Sequence, residues 1–376
     1  MAGERLTLFL PDLGGGGAER VALALMQGFL DRGHPVDLVL SQRRGALLPL
    51  VPAGVEIVDL GAPKLRDAMM PLVRYLRARR PHALHAMMWP LPLLAVAART
   101  IARVDTRIVA SEHTTFSLMP LGLRHRSVRA LTRLVYARLD AVIAVSAGVA
   151  DDLAAFVGIP RDRITVIHNP LLLPDELPDP AIMTGRWPGG TKRILAVGAL
   201  KAEKNYPLLL RALARVREHV PASLLILGDG PLRSQLEAEA ERLGLHDAVV
   251  FAGFTTDPWP FYAAADLFVL SSDAEGFGNV LIEAMHAGLP VVSTDCPNGP
   301  REIIGSSEYG ILVPCGNDQL LGAAALDVLA KRQYLDSENL RTKARALGGK
   351  PCLISHIEIM IGSSLTNDCS PVGLSS

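Results

Sequence analysis

The stretch DLFVLSSDAEGFGNVLIEAMHAGLPVVSTD, residues 266–295, contains two short apolar segments separated by a segment with helical spacing. Residues 266–272 and 290–294 have the length and the valine and leucine content of buried strands. Between them, a glycine-containing loop precedes NVLIEAMHAG, whose apolar residues follow a helical period. Strands joined through a helix run parallel in one sheet, so this stretch predicts a strand–helix–strand unit of a parallel α/β fold.

The same alternation of strands and helices occurs in two blocks along the chain. The candidate strands of the first block are LTLFL, VDLVL, VEIVDL, ALHAM, RIVAS, AVIAVS and ITVIH, and those of the second are RILAVG, SLLILGDG, AVVFAG, DLFVLSS and PVVST. Segment 170–192 is rich in proline and glycine, has no periodicity and is the predicted linker. We therefore predict an α/β fold of two facing Rossmann-like, doubly wound domains, residues 1–180 and 181–347, with an interdomain cleft as the ligand site.

The C-terminal residues 348–376 form an atypical tail. Their composition departs from the alanine-, arginine- and leucine-rich segment before them, and they show no sustained helical period. A replaced C-terminus and a divergent but functional one are both compatible with this pattern.

The composition excludes several classes of protein. The chain of 376 residues is 49% hydrophobic, which is typical of a compact globular protein. Its 4 cysteines lack CxxC spacing, so neither a zinc site nor a disulfide framework is predicted. The N-terminus lacks the features of a signal peptide, and the longest apolar run, residues 87–98, is too short to cross a bilayer. We expect a cytoplasmic protein that can lie peripherally at the inner face of the plasma membrane.

Positive charge is concentrated in the first domain. The net charge of the chain is zero, but residues 61–138 hold 14 lysines and arginines against three acidic residues. Such a segment attracts anionic lipid head groups, diphosphates or nucleic acid, and a solvated helix face is the alternative. We predict an anionic membrane surface and no nucleic acid as the partner. The predicted membrane patch consists of Arg124, Arg126, Arg129 and Arg133.

Two carboxylates, Glu275 and Glu283, flank a glycine-containing loop at the start of a predicted helix. Free N–H groups at a helix N-terminus suit phosphate oxygens, and glycines allow a ligand to approach closely. Carboxylates accept hydrogen bonds from the vicinal hydroxyls of a ribose or hexose. Each acid alone could be an ordinary surface residue, but together with Lys201 and Lys204 in an upstream loop they predict a nucleoside diphosphate that carries a sugar. The loop residues of this predicted donor site are Gly276, Phe277, Gly278 and Asn279.

A second glycine run, Gly14 to Gly17, follows the first strand and precedes a helix. Backbone N–H groups there can approach an anion, although a plain tight turn is the alternative. The run is not a GxGxxG dinucleotide fingerprint.

Taken in order, these segments resemble a known family. VGALKAEKN, LLILGDGPLR, FAGF, AADLFVLSS, EGFGNVLIE, GLPVVSTD and GPREII are similar to the C-terminal half of the retaining glycosyltransferases of family 4 (group 1), which have the two-domain GT-B architecture. GGAERVALAL, SEHTTF, LDAVIAVSAGVADDL and IHNPL are similar to the first half, so the resemblance covers residues 5 to 347.

The resemblance implies roles for the donor-site residues. Glu283 would bind the ribose hydroxyls, and Glu275 would bind the donor sugar near the reacting carbon. Lys204 would neutralise the leaving diphosphate, together with the N–H groups of residues 276–279. Glu275, Lys204 and His113 are therefore the expected catalytic residues.

The remaining implied roles concern the first domain and one departure from the family. His113, in SEHTT, would lie beside the donor sugar, although a structural histidine is the alternative reading of an isolated histidine after a strand. Gly16 and Gly17 would line the acceptor and phosphate side. The family commonly has an arginine at the position of Ala199, and we assign Lys201 as its cationic substitute, without the bidentate geometry of a guanidinium.

The resemblance implies transfer of a sugar, with retention of configuration, from a nucleoside diphosphate sugar, expected to be a UDP-sugar. The expected acceptor is a glycan linked to a lipid diphosphate, in surface polysaccharide or lipopolysaccharide biosynthesis. No D-x-D sequence occurs, so we expect no metal and no other cofactor. A nucleotide-sugar epimerase of the same architecture and a non-catalytic nucleotide-sugar-binding subunit are the alternatives.

Overall fold

The computed structural model describes residues 3–118, 125–183, 185–188, 192–330 and 335–364. The chain divides into two compact units. Unit 1 comprises Met1–Leu172 and Gly349–Ser376, and unit 2 comprises Leu173–Gly348. Both are parallel α/β units, as predicted.

Unit 1 contains a seven-stranded parallel sheet in the order β3-β2-β1-β4-β5-β6-β7. Its strands are β1 (Leu6–Leu10), β2 (Val36–Leu40), β3 (Glu56–Asp59), β4 (Ala83–Met87), β5 (Arg107–Glu112), β6 (Ala141–Ala144) and β7 (Ile164–Val166). Its first five helices are α1 (Gly17–Leu30), α2 (Met69–Arg79), α3 (Leu91–Ala102), α4 (His125–Tyr136) and α5 (Ala147–Val157). Every residue of β1, β2 and β4 is buried, because helices cover both faces of a parallel sheet.

Unit 2 contains a six-stranded parallel sheet in the order β10-β9-β8-β11-β12-β13. Its strands are β8 (Lys192–Val197), β9 (Ala222–Leu227), β10 (Val249–Gly253), β11 (Leu267–Leu270), β12 (Val291–Thr294) and β13 (Ile311–Val313). Its helices are α6 (Tyr206–Arg217), α7 (Arg233–Arg242), α8 (Trp259–Ala264), α9 (Asn279–His286), α10 (Pro300–Ile304), α11 (Asp318–Leu329) and α12 (Ser337–Gly348).

The strand orders place a topological switch point in each unit. The sequence order reverses between β1 and β4 in unit 1 and between β8 and β11 in unit 2. Ligands of doubly wound sheets bind outside the carboxyl ends of the strands at such points. The loops after β8 and β11 hold Lys204 and Glu275, and the loop after β1 holds the glycine run.

The tail has no sustained helical period in its sequence, yet its first part forms a helix. A thirteenth helix, α13 (Lys350–Ile361), packs against α1, β4 and β5 of unit 1. Cys352, Ile357 and Met360 belong to the same buried cluster as residues of β1 and β2. Arg107 Nε also donates to the carbonyl of Ile359 at 3.1 Å. The tail residues 365–376 lie outside the described part of the chain.

The boundary between the units lies earlier than the predicted one. The chain enters unit 2 at Leu173 rather than after residue 180, because the predicted linker packs against helices of unit 2. The carbonyl of Pro174 accepts from His286 Nε2 at 2.7 Å, and the 3₁₀ turn Pro180–Met183 contacts α8.

Candidate active site

The loops after β8 and β11 are joined by hydrogen bonds. Asn205 adopts a left-handed conformation, with φ of 43°, and its side-chain oxygen accepts from Leu208 N at the start of α6. Its side-chain nitrogen donates to both carboxylate oxygens of Asp273, at 3.1 and 3.0 Å. Asp273 N in turn donates to the carbonyl of Glu203 at 2.8 Å. The loop after β8 and the loop after β11 are therefore joined side by side at the switch point.

Lys204 and Glu275 form an ion pair across these two loops. Lys204 Nζ lies 2.6 Å from Glu275 Oε1, and Ser272 Oγ donates to the same oxygen at 2.6 Å. The side chains of the pair are 20% and 9% exposed, respectively. Burial and the nearby charge of Glu275 raise the pKa of Tyr206, whose hydroxyl donates to the carbonyl of Gly198. Sequence reasoning identified both residues of the pair but not the contact between them.

The loop between Glu275 and α9 follows a path that needs glycine. Gly278 has a φ of 98° and precedes the helix, so no side chain caps the first turn of α9 at this position. Phe277 is buried, with 2% of its surface exposed. Gly299, with a φ of 86°, lies directly against Phe277, and a Cβ atom there would overlap the Phe277 carbonyl. The backbone of residues 276–279 is thus held at the N-terminus of α9, as an anion site there requires.

Glu283 lies on α9 and is 8% exposed. Its Oε2 accepts a hydrogen bond from the hydroxyl of Tyr262 at 2.8 Å. The other predicted donor residue, Lys201, is exposed at the start of the 3₁₀ turn Ala202–Lys204. It precedes the turn rather than joining the Lys204–Glu275 pair.

In unit 1, His113 follows β5 and is half-buried. Ser111 Oγ lies 3.0 Å from His113 Nε2. Burial, with a smaller contribution from His356, lowers the pKa of His113 to about 3. The imidazole is therefore neutral near pH 7.

Sequence reasoning missed the residue next to it, Glu112. This glutamate is fully buried, its Oε1 accepts from Tyr136 OH, and its Oε2 accepts from Trp89 N at 3.2 Å. Burial raises the pKa of Glu112 to about 8, so the carboxyl group is mostly protonated at neutral pH. The available signal was an acidic residue at the end of the predicted strand RIVAS.

Two buried histidines lie near this strand. The rings of His85, on β4, and His356, on α13, have centroids 6.1 Å apart. Burial lowers the pKa of His356 to about 4, and burial also lowers the pKa of His85. The tail therefore places His356 beside β4, the neighbour of the strand that precedes His113.

The glycine run of unit 1 is bordered by acids. Gly16 is the residue before α1, and Gly17 is the first residue of that helix. The Glu19 carboxylate lies against Gly16, and Asp12 Oδ1 accepts from Gly14 N at 3.1 Å. Asp12 is also paired with Arg44, whose Nε lies 3.0 Å from its Oδ2.

The predicted membrane patch is described only in part. Arg124 lies outside the described residues, and Arg126 is on α4 with a side chain outside the described part. Arg129 and Arg133 are exposed on α4, beside Leu131 and Leu134, which are 50% and 55% exposed. No helix among the described residues is long and apolar enough to span a bilayer. In the same part of the chain, no cluster of three or more His, Cys, Asp or Glu residues is suited to hold a metal ion.

Comparison with known proteins assigns both halves of the chain. Residues 183–347 match the family described as "Glycosyl transferases group 1", and residues 15–171 match "Glycosyltransferase Family 4". The chain is 29% identical to the N-acetylgalactosamine-N,N'-diacetylbacillosaminyl-diphospho-undecaprenol 4-alpha-N-acetylgalactosaminyltransferase of Campylobacter jejuni, over 91% of this chain and 95% of that protein. It is 28% identical to the lipopolysaccharide core biosynthesis glycosyltransferase LpsE of Rhizobium meliloti, over 89% of each.

A solved structure shares the fold. The complex of Anabaena HepE with UDP and glucose has a TM-score of 0.81 and 22% identity, and covers 96% of this chain and 100% of that one. The two family matches, the relatives and the two Rossmann-like units agree with the resemblance found in the sequence. This chain belongs to the family 4 (group 1) glycosyltransferases of GT-B architecture.

Proposed function

We propose that this glycosyltransferase moves a hexosyl group, with retention of configuration and without a metal ion, from a UDP-sugar to a lipid-diphosphate-linked glycan. The assembly of lipopolysaccharide or another surface polysaccharide is the proposed setting. The observation that carries the donor part is the grouping of Lys204, Glu275 and the N-terminus of α9 at the switch point of unit 2.

The donor chemistry follows from the charges of this group. A departing nucleoside diphosphate carries negative charge that must be neutralised. Lys204 supplies a cation, and the first turn of α9 supplies N–H groups and a partial positive charge. Glu283, on the same helix, is the proposed acceptor for the ribose hydroxyls, since a carboxylate accepts several hydrogen bonds at once. The Tyr262 hydroxyl donates to its Oε2.

The proposed role of Glu275 is at the sugar. Its Oε1 is held by Lys204 and Ser272, so the carboxylate has a fixed orientation before the donor arrives. A fixed negative charge near the reacting carbon stabilises an oxocarbenium-like transition state more than the ground state. His113, neutral because its pKa is about 3, offers the sugar a hydrogen bond rather than a positive charge.

The proposed acceptor is supported by the names of relatives. The Campylobacter jejuni relative is named for a diphospho-undecaprenol substrate, and the Rhizobium meliloti relative for lipopolysaccharide core biosynthesis. The exposed leucines and arginines of α4 suit the surface of an anionic membrane, where such acceptors reside. We therefore propose that the enzyme works at the inner face of the plasma membrane.

A transfer assay tests the proposed function. The full chain is incubated with a panel of radiolabelled nucleotide sugars and a lipid-linked acceptor extract, with and without excess EDTA. Label in the lipid fraction, unchanged by EDTA, is the expected result. Label converted within the nucleotide sugar would indicate an epimerase instead, binding without turnover would indicate a non-catalytic subunit, and loss of transfer in EDTA would contradict metal independence.

The membrane proposal has its own test. Replacement of Arg124, Arg126, Arg129 and Arg133 with glutamine should weaken binding to anionic vesicles at least tenfold, since each basic residue near the surface contributes about 1 kcal/mol. Neutral phosphatidylcholine vesicles serve as the control. Unchanged binding of the quadruple variant to anionic vesicles would contradict the proposal.

A further inference from the structure

Glu112 is a buried carboxyl group that contacts two other parts of unit 1. It is the last residue of β5 and is fully buried. Its Oε2 lies 3.2 Å from Trp89 N, in the loop after β4, and its Oε1 contacts the hydroxyl of Tyr136, the last residue of α4. Glu112 therefore joins the loop after β4 and the end of α4 to the strand that leads into His113.

The loop after β4, residues 88–90, leaves the sheet at its switch point and is held in an unfavourable conformation. Met88 has a φ of 75°, which is uncommon for a residue with a side chain and is a form of strain found at functional sites. Trp89 Nε1 is buried without a hydrogen-bond partner among the described residues, which is a second cost. Met88 N donates to the carbonyl of Ser111 at 2.9 Å, and Trp89 N donates to Glu112. These contacts with β5 keep the loop from relaxing.

The two contacts of Glu112 determine where its proton lies. Burial outweighs the two hydrogen bonds and raises the pKa of Glu112 to about 8, so the group is mostly a neutral acid near pH 7. A backbone N–H can only donate, so the oxygen that faces Trp89 is the carbonyl oxygen. The proton is then on the oxygen that faces Tyr136, whose hydroxyl can accept as well as donate. A glutamine side chain reproduces this pattern, with its oxygen for Trp89 and its NH₂ group for Tyr136.

The other titratable groups nearby face away from Glu112. Side chains alternate between the two faces of a sheet, and Ser111 is the residue before Glu112. Ser111 and its partner His113 therefore lie on the other face, where His85 of β4 packs against His356 of α13. Charged groups of α3, α4 and α5 that have a described neighbour lie elsewhere: Arg99 binds Asp140, Arg129 binds the Ala155 carbonyl, Arg133 lies near Gly158, Asp151 binds Arg161, and Asp152 binds Phe116 N. Within the described part of the chain, Tyr136 is the titratable side chain in contact with Glu112.

We propose that Glu112 is a positioning residue whose carboxyl group holds residues 88–90 in the arrangement that receives the acceptor glycan. The inference rests on the proposed function, in which unit 1 meets the lipid-linked acceptor. Loss of the carboxyl proton places a negative charge in the core, and the described contacts of Glu112 include no cation to balance it. Water then enters to solvate the charge, and the loop is released from Glu112.

The pH dependence of transfer tests this role. The full chain is assayed between pH 6 and 9 with the lipid-linked acceptor extract at several concentrations. The variants are Glu112→Gln, which mimics the neutral acid, and Glu112→Leu, which is similar in size but gives Trp89 N no acceptor. Glu4→Gln, at an exposed position of unit 1, is the matched control. Thermal unfolding shows whether each variant is folded, and calorimetry with UDP shows whether the donor site is intact.

The expected result is a loss of acceptor use at high pH that depends on Glu112. In the wild type and in Glu4→Gln, kcat/KM for the acceptor should fall about tenfold for each pH unit above about 8, whereas in Glu112→Gln it should stay nearly constant up to pH 9. At pH 7, Glu112→Gln should be within about threefold of the wild type. Glu112→Leu should raise the KM for the acceptor about tenfold at pH 7, with kcat within about threefold and the Kd of UDP unchanged, because a buried N–H has lost its acceptor.

The outcomes separate the two proposals. The positioning role is overturned, and the transferase stands, if Glu112→Gln declines above pH 8 as the wild type does, if the wild type does not decline by pH 9, or if a folded Glu112→Leu has an unchanged KM for the acceptor. If Glu112→Leu does not fold, the pH profile of Glu112→Gln decides alone. If the wild type moves no label into lipid at any pH, the proposed function is wrong and the role of Glu112 fails with it.

Discussion

Replacement of Glu275 with glutamine is expected to separate donor binding from turnover. In the free enzyme Lys204 is already occupied, because its Nζ lies 2.6 Å from Glu275 Oε1 with only 20% of the lysine side chain exposed. An incoming diphosphate competes with this carboxylate for the same cation. Glutamine keeps the size and the oxygen but removes the negative charge.

The size of the effect follows from this contact. A hydrogen bond to a charged group contributes about 1.5–3 kcal/mol, and partial exposure of the pair brings the value to the lower end. Release of Lys204 should therefore tighten UDP binding by about 1.4 kcal/mol, or about tenfold in Kd. Turnover should fall by a factor of about 10² to 10³, as on removal of one charge-stabilising group from a transition state.

Calorimetry with UDP and initial rates with the sugar donor measure the two effects. Glu203→Gln is the matched control, since it removes the same charge from an exposed position on the neighbouring loop. In a Lys204→Met background, the gain in UDP affinity from Glu275→Gln should disappear. Weaker UDP binding by Glu275→Gln would refute the competition between carboxylate and diphosphate, and turnover within about threefold of the wild type would refute a role for Glu275 at the reacting carbon.

Two further substitutions test buried or tightly packed residues outside the ion pair. Burial lowers the pKa of His356 from 6.5 in the unfolded chain to about 4 in the folded protein, so its contribution to stability is complete above pH 6.5 and is lost as the pH falls towards 4. Between pH 6.5 and 5, the free energy of unfolding measured with denaturant should fall by about 2 kcal/mol less in His356→Gln than in the wild type. An equal fall in the two proteins would contradict this. Gly299→Ala should weaken UDP binding at least tenfold because its Cβ would displace the Phe277 carbonyl at the start of α9, whereas Gly305→Ala, which also has positive φ but meets no backbone atom, should bind UDP normally. Equal UDP affinities in the two glycine variants would show that the contact with Phe277 does not shape the site.

The sequence was most informative about the strands. Twelve of the predicted segments correspond to β1 through β12, because buried parallel strands read as short continuous apolar runs. The strand Ile311–Val313 was not among the predicted segments.

Helix α13 was not predicted either. Of its residues only Lys350 and Pro351 are exposed, so apolar side chains lie on most of its sides and no helical period appears. A pattern of one apolar and one polar face is the signal that sequence reasoning uses, and a helix covered on most sides does not have it.

The motifs named Lys204, Glu275 and Glu283 as candidate site residues, but not their contacts, and they did not name Glu112. Lys204 and Glu275 are 71 positions apart, and their ion pair depends on how the loops after β8 and β11 meet at the switch point. The pairs Tyr262–Glu283 and Tyr136–Glu112 depend in the same way on helix packing. Short motifs identify the side chains, whereas the partners are set by tertiary structure.

The return of α13 to unit 1 has a consequence for the order in which the chain folds during synthesis. Unit 2 is one continuous segment, Leu173–Gly348, and can complete its core before α13 has left the ribosome. Unit 1 contains β1, which is made before unit 2, yet its core lacks Cys352, Ile357 and Met360 until the segment after unit 2 has been made. The strands of unit 1 therefore keep an uncovered apolar face while unit 2 is being made, and a product that stops before α13 would leave that face exposed to chaperones and to aggregation.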